Sequence, residues 1–523
     1  MHGKLQHQRG RGRSHASPQP TLACLGHLVD LASRGVGGVA CRVDVQIRPP
    51  RVRHLGTGRT DPTRHTPFQL VSASPLSIRP RDLLRIAVPI SLGSLVQFFV
   101  VLTDNFFLSR AGELELNAAG NAALVYLTFV MVLTGGSMGI QILVARHQGA
   151  DQGGRMAVAS RTGRVALVAL GAVLTALVLG VNAWGGWEPL MANREVRDLF
   201  TPFLAIRGWG FVPYALLMAL EADWIGQAKT KPLLPLALTM AGINILLDAY
   251  WVEGLWGGPQ LGAQGAARAS LIAETTGALL AWAIARFHMH PDSFMGRRAL
   301  CRDTLRQWWK LAMPVMAQFG LTISTWASFF FFVERVGMME LKVSHLTRNA
   351  FMLAFVVCTG LGQTTRTVVS TLIGEGRQQD LPRALLTLVA LSYLGVWSLT
   401  HGYVAYPEWI AGHFFDQVEE AVGHAAMADT LGTAWIAIQC YALSAIAIAV
   451  LQGAGFTKHA FWIELTSVTV YIAVAYVLAL EWTAPIHVIW RADWVYFGGI
   501  LLGSAACLKF VPWRDGHPSL HDS

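Results

Sequence analysis

Charge is what this chain lacks most. Of its 523 residues only 14% are charged, while 53% are hydrophobic. A soluble chain of this length carries about a quarter charged residues. The deficit excludes a large water-soluble domain and fits a chain whose solvent is mostly lipid. Cysteine is scarce too: six residues, scattered, with no close pair at metal-ligand spacing. That speaks against a zinc site, an iron–sulfur cluster and a disulfide framework. No His, Asp and Glu cluster has the spacing of a metal site or an activated nucleophile, so neither an enzyme nor a cofactor is expected.

Small and kinked residues are plentiful. The 51 glycines and 22 prolines suit helices in a membrane better than helices in water. The formal charge of +9 comes largely from the first 81 residues and a few short loops, which the positive-inside tendency explains without nucleic acid. Residues 1–74 stand apart: arginine-, glycine- and proline-rich, with no apolar run of spanning length. Three readings compete for them: a basic tail at a membrane surface, a nucleic-acid-binding arm, or an over-extended reading frame. The text without periodicity favours the last.

From Asp82 onward the chain divides into apolar segments of spanning length at about 84–108, 118–145, 160–182, 199–220, 233–253, 263–287, 308–333, 346–372, 382–405, 430–452, 460–480 and 489–510. Twelve spans put both termini on one side. The loops after even-numbered spans are the basic ones, with Arg146, Arg155, Lys229, Lys231, Arg297, Arg298, Arg302, Arg306, Arg377 and Lys458. The loop at 408–429 holds Glu408, Asp416, Glu419, Glu420 and Asp429 and no lysine or arginine. The basic set, and with it both termini, is expected in the cytoplasm.

The two halves repeat. Pro89 answers Pro314, Gly112 answers Gly337 and Gly149 answers Gly374, always 225 positions later. A repeat of an even number of helices gives both copies the same topology, so the axis relating them runs along the membrane normal. The fold class read from this is an all-α integral membrane protein, with two six-helix bundles related by a pseudo-twofold axis. Its domains are an extension at 1–80, a first lobe at 81–290, a second lobe at 291–511 and a short tail at 512–523.

Charges inside a span are functional hypotheses, because burying them is costly. Asp104 follows some twenty residues of apolar helix. Asn244 and Asp248 share a face of the fifth span at i,i+4, and Ser270 offers a hydroxyl in the sixth. The competing reading makes these polar groups packing contacts between helices. Two carboxylates held close cannot both ionise easily, so such a pair can keep a proton and release it when a cation enters. The same oxygens suit a hard cation, so proton and sodium both stand as coupling ions. Further polar or aromatic candidates for the pathway are Gln141, Arg207, Glu221, Arg268, Phe329 and Arg366. Trp326, Phe330 and Phe332 offer an aromatic wall for organic cations.

Several stretches are distinctive in order and spacing: VLTDNFFLSRAG at 101–112, G-x-Q-x-L-V-A-R-x-x-G-A at 139–150, IRGWG to GQAKTKPLL at 206–234, NILLDAYWV at 244–252 and LGAQGAARAS at 261–270. Through them the chain resembles the multidrug and toxic compound extrusion (MATE) family over about residues 80–511, nearest its DinF-like branch. The resemblance implies a secondary transporter of the bacterial inner membrane, monomeric. It would export small amphiphilic, cationic compounds against protons or sodium, with small molecules and membrane lipids as its partners. Asp104 matches the family's first-helix aspartate, while Asn244, Asp248 and Ser270 match its neighbours. The second half offers no acid where Asp104 repeats, since Phe329 stands there, so coupling is expected in the first lobe. Arg268 departs from the family pattern: pairing with Glu274 is one reading, and reaching Asp248 another. Arg207, Arg268 and Arg366 keep open an alternative, a flippase for a lipid-linked saccharide or phospholipid.

Overall fold

The computed structural model describes residues 75–187, 193–288, 300–415 and 420–516, and every regular element among them is helical. The first half comprises α1 (Pro80–Ala111), α2 (Glu113–Gly149), α3 (Gly153–Ala183), α4 (Arg194–Gly208), α5 (Phe211–Gly226), α6 (Leu233–Trp251) and α7 (Gly262–His288). The second comprises α8 (Arg302–Val336), α9 (Met338–Gly374), α10 (Leu381–Thr400), α11 (Ala421–Gly453), α12 (Thr457–Tyr476) and α13 (Ala492–Phe510), with short helical turns between them. The repeat is visible in local geometry. A single glycine joins α1 to α2 and another joins α8 to α9, with φ/ψ of 147/156° at Gly112 and 169/159° at Gly337.

By length and apolar content nine described helices can cross a membrane, or ten if α4 and α5 form one bent span. The protein is therefore a multi-pass membrane protein. That count is lower than the twelve spans expected from the sequence. α7 and α13 are long enough to cross, but Gln264, Arg268 and Glu274 in the one and Asp493 and Lys509 in the other dilute their apolar character. The span expected at 199–220 is broken, α4 meeting α5 at 45°. The segment 408–429 is not one loop: Pro407–Ala411 is helical and α11 begins at Ala421. Asp416, Glu419, Arg297, Arg298 and the extension to residue 74 lie outside the described residues.

Burial along the two longest helices shows where the halves meet. In α2 every residue from Gly135 to His147 is buried, whereas earlier burial falls only at Ala118, Ala119, Ala122, Tyr126, Val130 and Leu133. α9 mirrors this, buried without a break from Thr364 to Ile373 but only at Val343, Ser344, Thr347, Phe351 and similar positions before it. A helix buried all round is packed on every side, and one with a 3.6-residue stripe is packed on one. The halves therefore close together at one end and part at the other.

The closed end is sealed by backbone approach and by hydrogen bonds. A Cβ on Gly135 would lie 2.6 Å from Met316 Cα, and one on Gly149 would collide with the Thr371 carbonyl. Gln141 Nε2 donates to Gln363 O at 2.8 Å and to Thr367 Oγ1 at 2.9 Å. Ser370 Oγ donates to Ile142 O at 2.8 Å, and Trp308 Nε1 to Gly136 O at 3.0 Å. The residues before α1 cross the same end. Leu76 N donates to Glu375 Oε1, Leu76 O accepts from Arg377, and the Leu76 side chain packs against apolar clusters of both halves.

Candidate ion and substrate site

α1, α6 and α7 bring Asp104, Asn244, Asp248 and Ser270 into one cluster, in which Asn244 and Asp248 are buried and Asp104 and Ser270 half-buried. The i,i+4 spacing on α6 puts Asn244 and Asp248 on its inward face, 1% and 0% exposed. The carboxyls of Asp104 and Asp248 are neighbours, and the Ser270 hydroxyl lies on the same side of Asp104. Asn244 Nδ2 donates to Ser270 Oγ at 3.4 Å. Asp104 Oδ1, both oxygens of Asp248 and Asn244 Oδ1 are buried acceptors with no donor among the described residues. Buried acceptors without partners are costly and uncommon. Oxygens alone, two of them paired carboxylates, are the donor set of a proton or a small hard cation.

A second layer is built around the break between α4 and α5. Arg207 Nη2 meets Glu274 Oε1 at 2.8 Å, with side chains 11% and 12% exposed. Tyr126 donates its hydroxyl to Glu274 Oε2 at 3.0 Å, and its ring lies 3.9 Å beneath the Arg207 guanidinium carbon. Gly210 makes this possible: a Cβ there would sit 2.8 Å from Glu274 Oε2 and 3.1 Å from the Tyr126 hydroxyl. The guanidinium and Glu274 both act electrostatically on Asp104. Arg268 joins neither group. Its guanidinium reaches Gln264, one turn back, at 3.5 Å, so the suggested pairing with Glu274 is corrected: Arg207 holds that carboxylate.

The remaining candidates are dispersed. Gln141 belongs to the closed seam. Glu221, on α5, lies near Tyr214. Phe329 is 2% exposed and packed edge-on against Trp490. Arg366 is buried in the second half, where its Nη1 donates to Gln452 Oε1 at 2.9 Å.

Arg366 leads to a group that sequence reading passed over. Gln452 Nε2 donates to Gln318 Oε1 at 3.0 Å, and Gln318 Nε2 donates to Glu464 Oε2 at 3.4 Å. Glu464 Oε1 accepts from Thr322 at 3.2 Å and from the Tyr496 hydroxyl. Glu464 is 3% exposed, so the second half does hold a buried acid, on α12 and away from the position where Asp104 repeats. The signal was present in FWIELTSV at 461–468, a lone carboxylate in an apolar run.

Known proteins share this architecture. Among curated proteins, a probable multidrug resistance protein NorM of Synechocystis is 24% identical over 351 residues, 66% of this chain and 75% of its own length. One from Deinococcus radiodurans is 29% identical over 319 residues, covering 60% and 68%. A multidrug resistance MATE family transporter of the MOP superfamily, solved in an outward-facing conformation, superposes with a TM-score of 0.72 at 16% identity, covering 82% of this chain and 94% of that one. The eukaryotic MATE transporter AtDTX14 gives 0.71 at 17%, covering 84% and 97%. At such identities the structural likeness speaks for the fold. The family profile MatE matches twice, over residues 89–250 and 314–477, one match in each half and each beginning at a proline of the repeat. On that double match, which takes in most of the described helices, the chain belongs to the MatE family.

Proposed function

We propose that the protein is a secondary active exporter of small amphiphilic, cationic compounds, driven by antiport of protons or sodium. The observation that carries this reading is the pair formed by half-buried Asp104 and fully buried Asp248, with unpaired oxygens. An ion that binds this cluster more tightly in one arrangement of the halves biases the whole molecule toward that arrangement. Asn244 and Ser270 complete the oxygen set, and Arg207, held by Glu274, tempers its negative charge.

Several finer readings belong with this one. The protein has twelve spans in two six-helix bundles about a pseudo-twofold axis, supported by the two matches to one family profile and by the paired glycine turns. The closed end, with Arg146, Arg155, Lys229 and Lys458, faces the cytoplasm of a bacterial inner membrane, and the protein acts as a monomer. The GQAKTKP stretch and the absence of an acid in the first turns after Pro314 favour the DinF-like branch. The flippase alternative loses ground because Arg207 is already paired.

Transport into inverted vesicles under imposed proton or sodium gradients tests the proposal. Asp104→Asn should abolish gradient-driven accumulation at normal membrane abundance, because the amide keeps the shape but can neither take up a proton nor bind a cation strongly. Asp248→Asn should behave similarly but less completely. Accumulation by D104N at near the wild-type rate would overturn the reading.

A further inference from the structure

Beyond the acid cluster, the open end carries a cation laid on aromatic rings. His345 stacks on Phe330 with centroids 4.7 Å apart and planes 8° from parallel. The Arg348 guanidinium carbon lies 5.1 Å from the centroid of the same ring, and Trp326 extends the stack at 6.2 Å. His345 is exposed and the other three are half-buried. Among the described residues no carboxylate lies within ion-pair distance of Arg348.

Helix register places this patch in the cleft and away from lipid. On α9 the carbonyl of Gln363 meets Gln141 of α2, and His345 lies about 18 residues earlier, five full turns, on the same face. On α8, Ala312 faces Gly139 of α2, and Phe330 lies about 18 residues later, again five turns. The two faces that grip α2 at the closed end therefore look into the space between the halves at the open end. Depth follows in the same way. α1 and α9 cross where Ser91 meets Gly360. Asp104 is ~20 Å along α1 from that crossing and Arg348 is ~18 Å along α9, at 1.5 Å per residue. The patch thus stands level with the acid cluster, on the opposite wall.

A half-buried guanidinium without a carboxylate is expensive to keep unless something pairs with it. Its planar fork matches a carboxylate with two parallel hydrogen bonds, and the adjoining rings offer a flat face for stacking. We propose that Arg348, with Phe330, His345 and Trp326, forms a receptor on the cleft wall for the carboxylate of a flat aromatic amphiphile. The inference rests on the export reading above and assigns the residues that would meet an acid group on such a substrate.

Rhodamine B and its ethyl ester test this, since they share ring system and cationic charge and differ only in the free carboxylate. Binding is read by fluorescence polarisation with the full-length protein in lipid nanodiscs. Arg348→Gln should weaken binding of the acid at least tenfold and of the ester less than twofold, with Arg348→Lys intermediate. Phe330→Leu should weaken both dyes. Retained ester binding shows that R348Q is folded. An equal loss for both dyes, or no loss for either, overturns the proposal. Gradient-driven ester uptake by wild-type inverted vesicles reads the export proposal separately, so its failure is distinguishable from failure of the carboxylate receptor.

Discussion

Glu274→Gln isolates the buried ion pair behind the acid cluster. The change keeps volume and an acceptor oxygen for Tyr126 but removes the only carboxylate, among the described residues, in contact with Arg207. Breaking a buried pair by deleting one partner typically costs ~3–5 kcal/mol, because a charge is left desolvated and alone. The Tyr126 ring, 3.9 Å from the guanidinium, stays in place in both forms and offsets none of this, so the loss should be ~3–5 kcal/mol of stability. The freed guanidinium has one strong alternative, the nearby Asp104 carboxylate. The variant should then hold that carboxylate against the incoming ion, and transport should need a steeper gradient. Thermal unfolding in detergent reads the first effect, and transport against stepped proton and sodium gradients reads the second. Replacing both partners, as Arg207→Met with Glu274→Leu, should restore most of the stability, since two apolar groups leave no orphaned charge. E274Q as stable as wild type, or a double variant worse than the sum of the single changes, would refute the reasoning.

The seam and the orientation offer two more tests. Gly149→Val forces a side chain into the Thr371 carbonyl; overpacking of this kind costs ~1–3 kcal/mol, all of it in the closed-end arrangement, so cysteine accessibility along Ser370 and Thr371 should rise while total expression holds. Unchanged accessibility would show that the seam is looser than its backbone contacts imply. With native cysteines replaced by serine, Asp151→Cys should label only after the membrane is permeabilised, and Trp256→Cys, 73% exposed after α6, should label from outside intact cells. The reverse pattern would invert the topology.

Much of the frame was legible because it rests on local rules. The prolines at 89 and 314 and the glycines at 112 and 337 mark corresponding places in the halves, and the structure turns at both glycines in nearly the same conformation. The i,i+4 rule put Asn244 and Asp248 on one face before any partner was known. What stayed hidden depends on distance in sequence. Arg207 and Glu274 are on helices far apart along the chain, and no pattern announces their contact. The break at Trp209 and Gly210 lies inside the segment 199–220, which reads as one span and where a glycine is ordinary; its meaning appears only once Glu274 and Tyr126 fill the space a Cβ would occupy. Glu464 stayed hidden for another reason: the repeat points to position 329 for an acid in the second half, and Glu464 lies off it.

The apolar core of the first half is not made by the first half alone. Trp308, Leu311, Ala312 and Met316, all from α8, are buried members of the same cluster as Leu133, Ile140 and Leu167. During synthesis the ribosome must therefore deliver the opening helix of the second half before the first can finish packing. Until then the glycine-lined flank of α2 lies open to lipid, and any factor that shelters nascent membrane helices would have its longest engagement there.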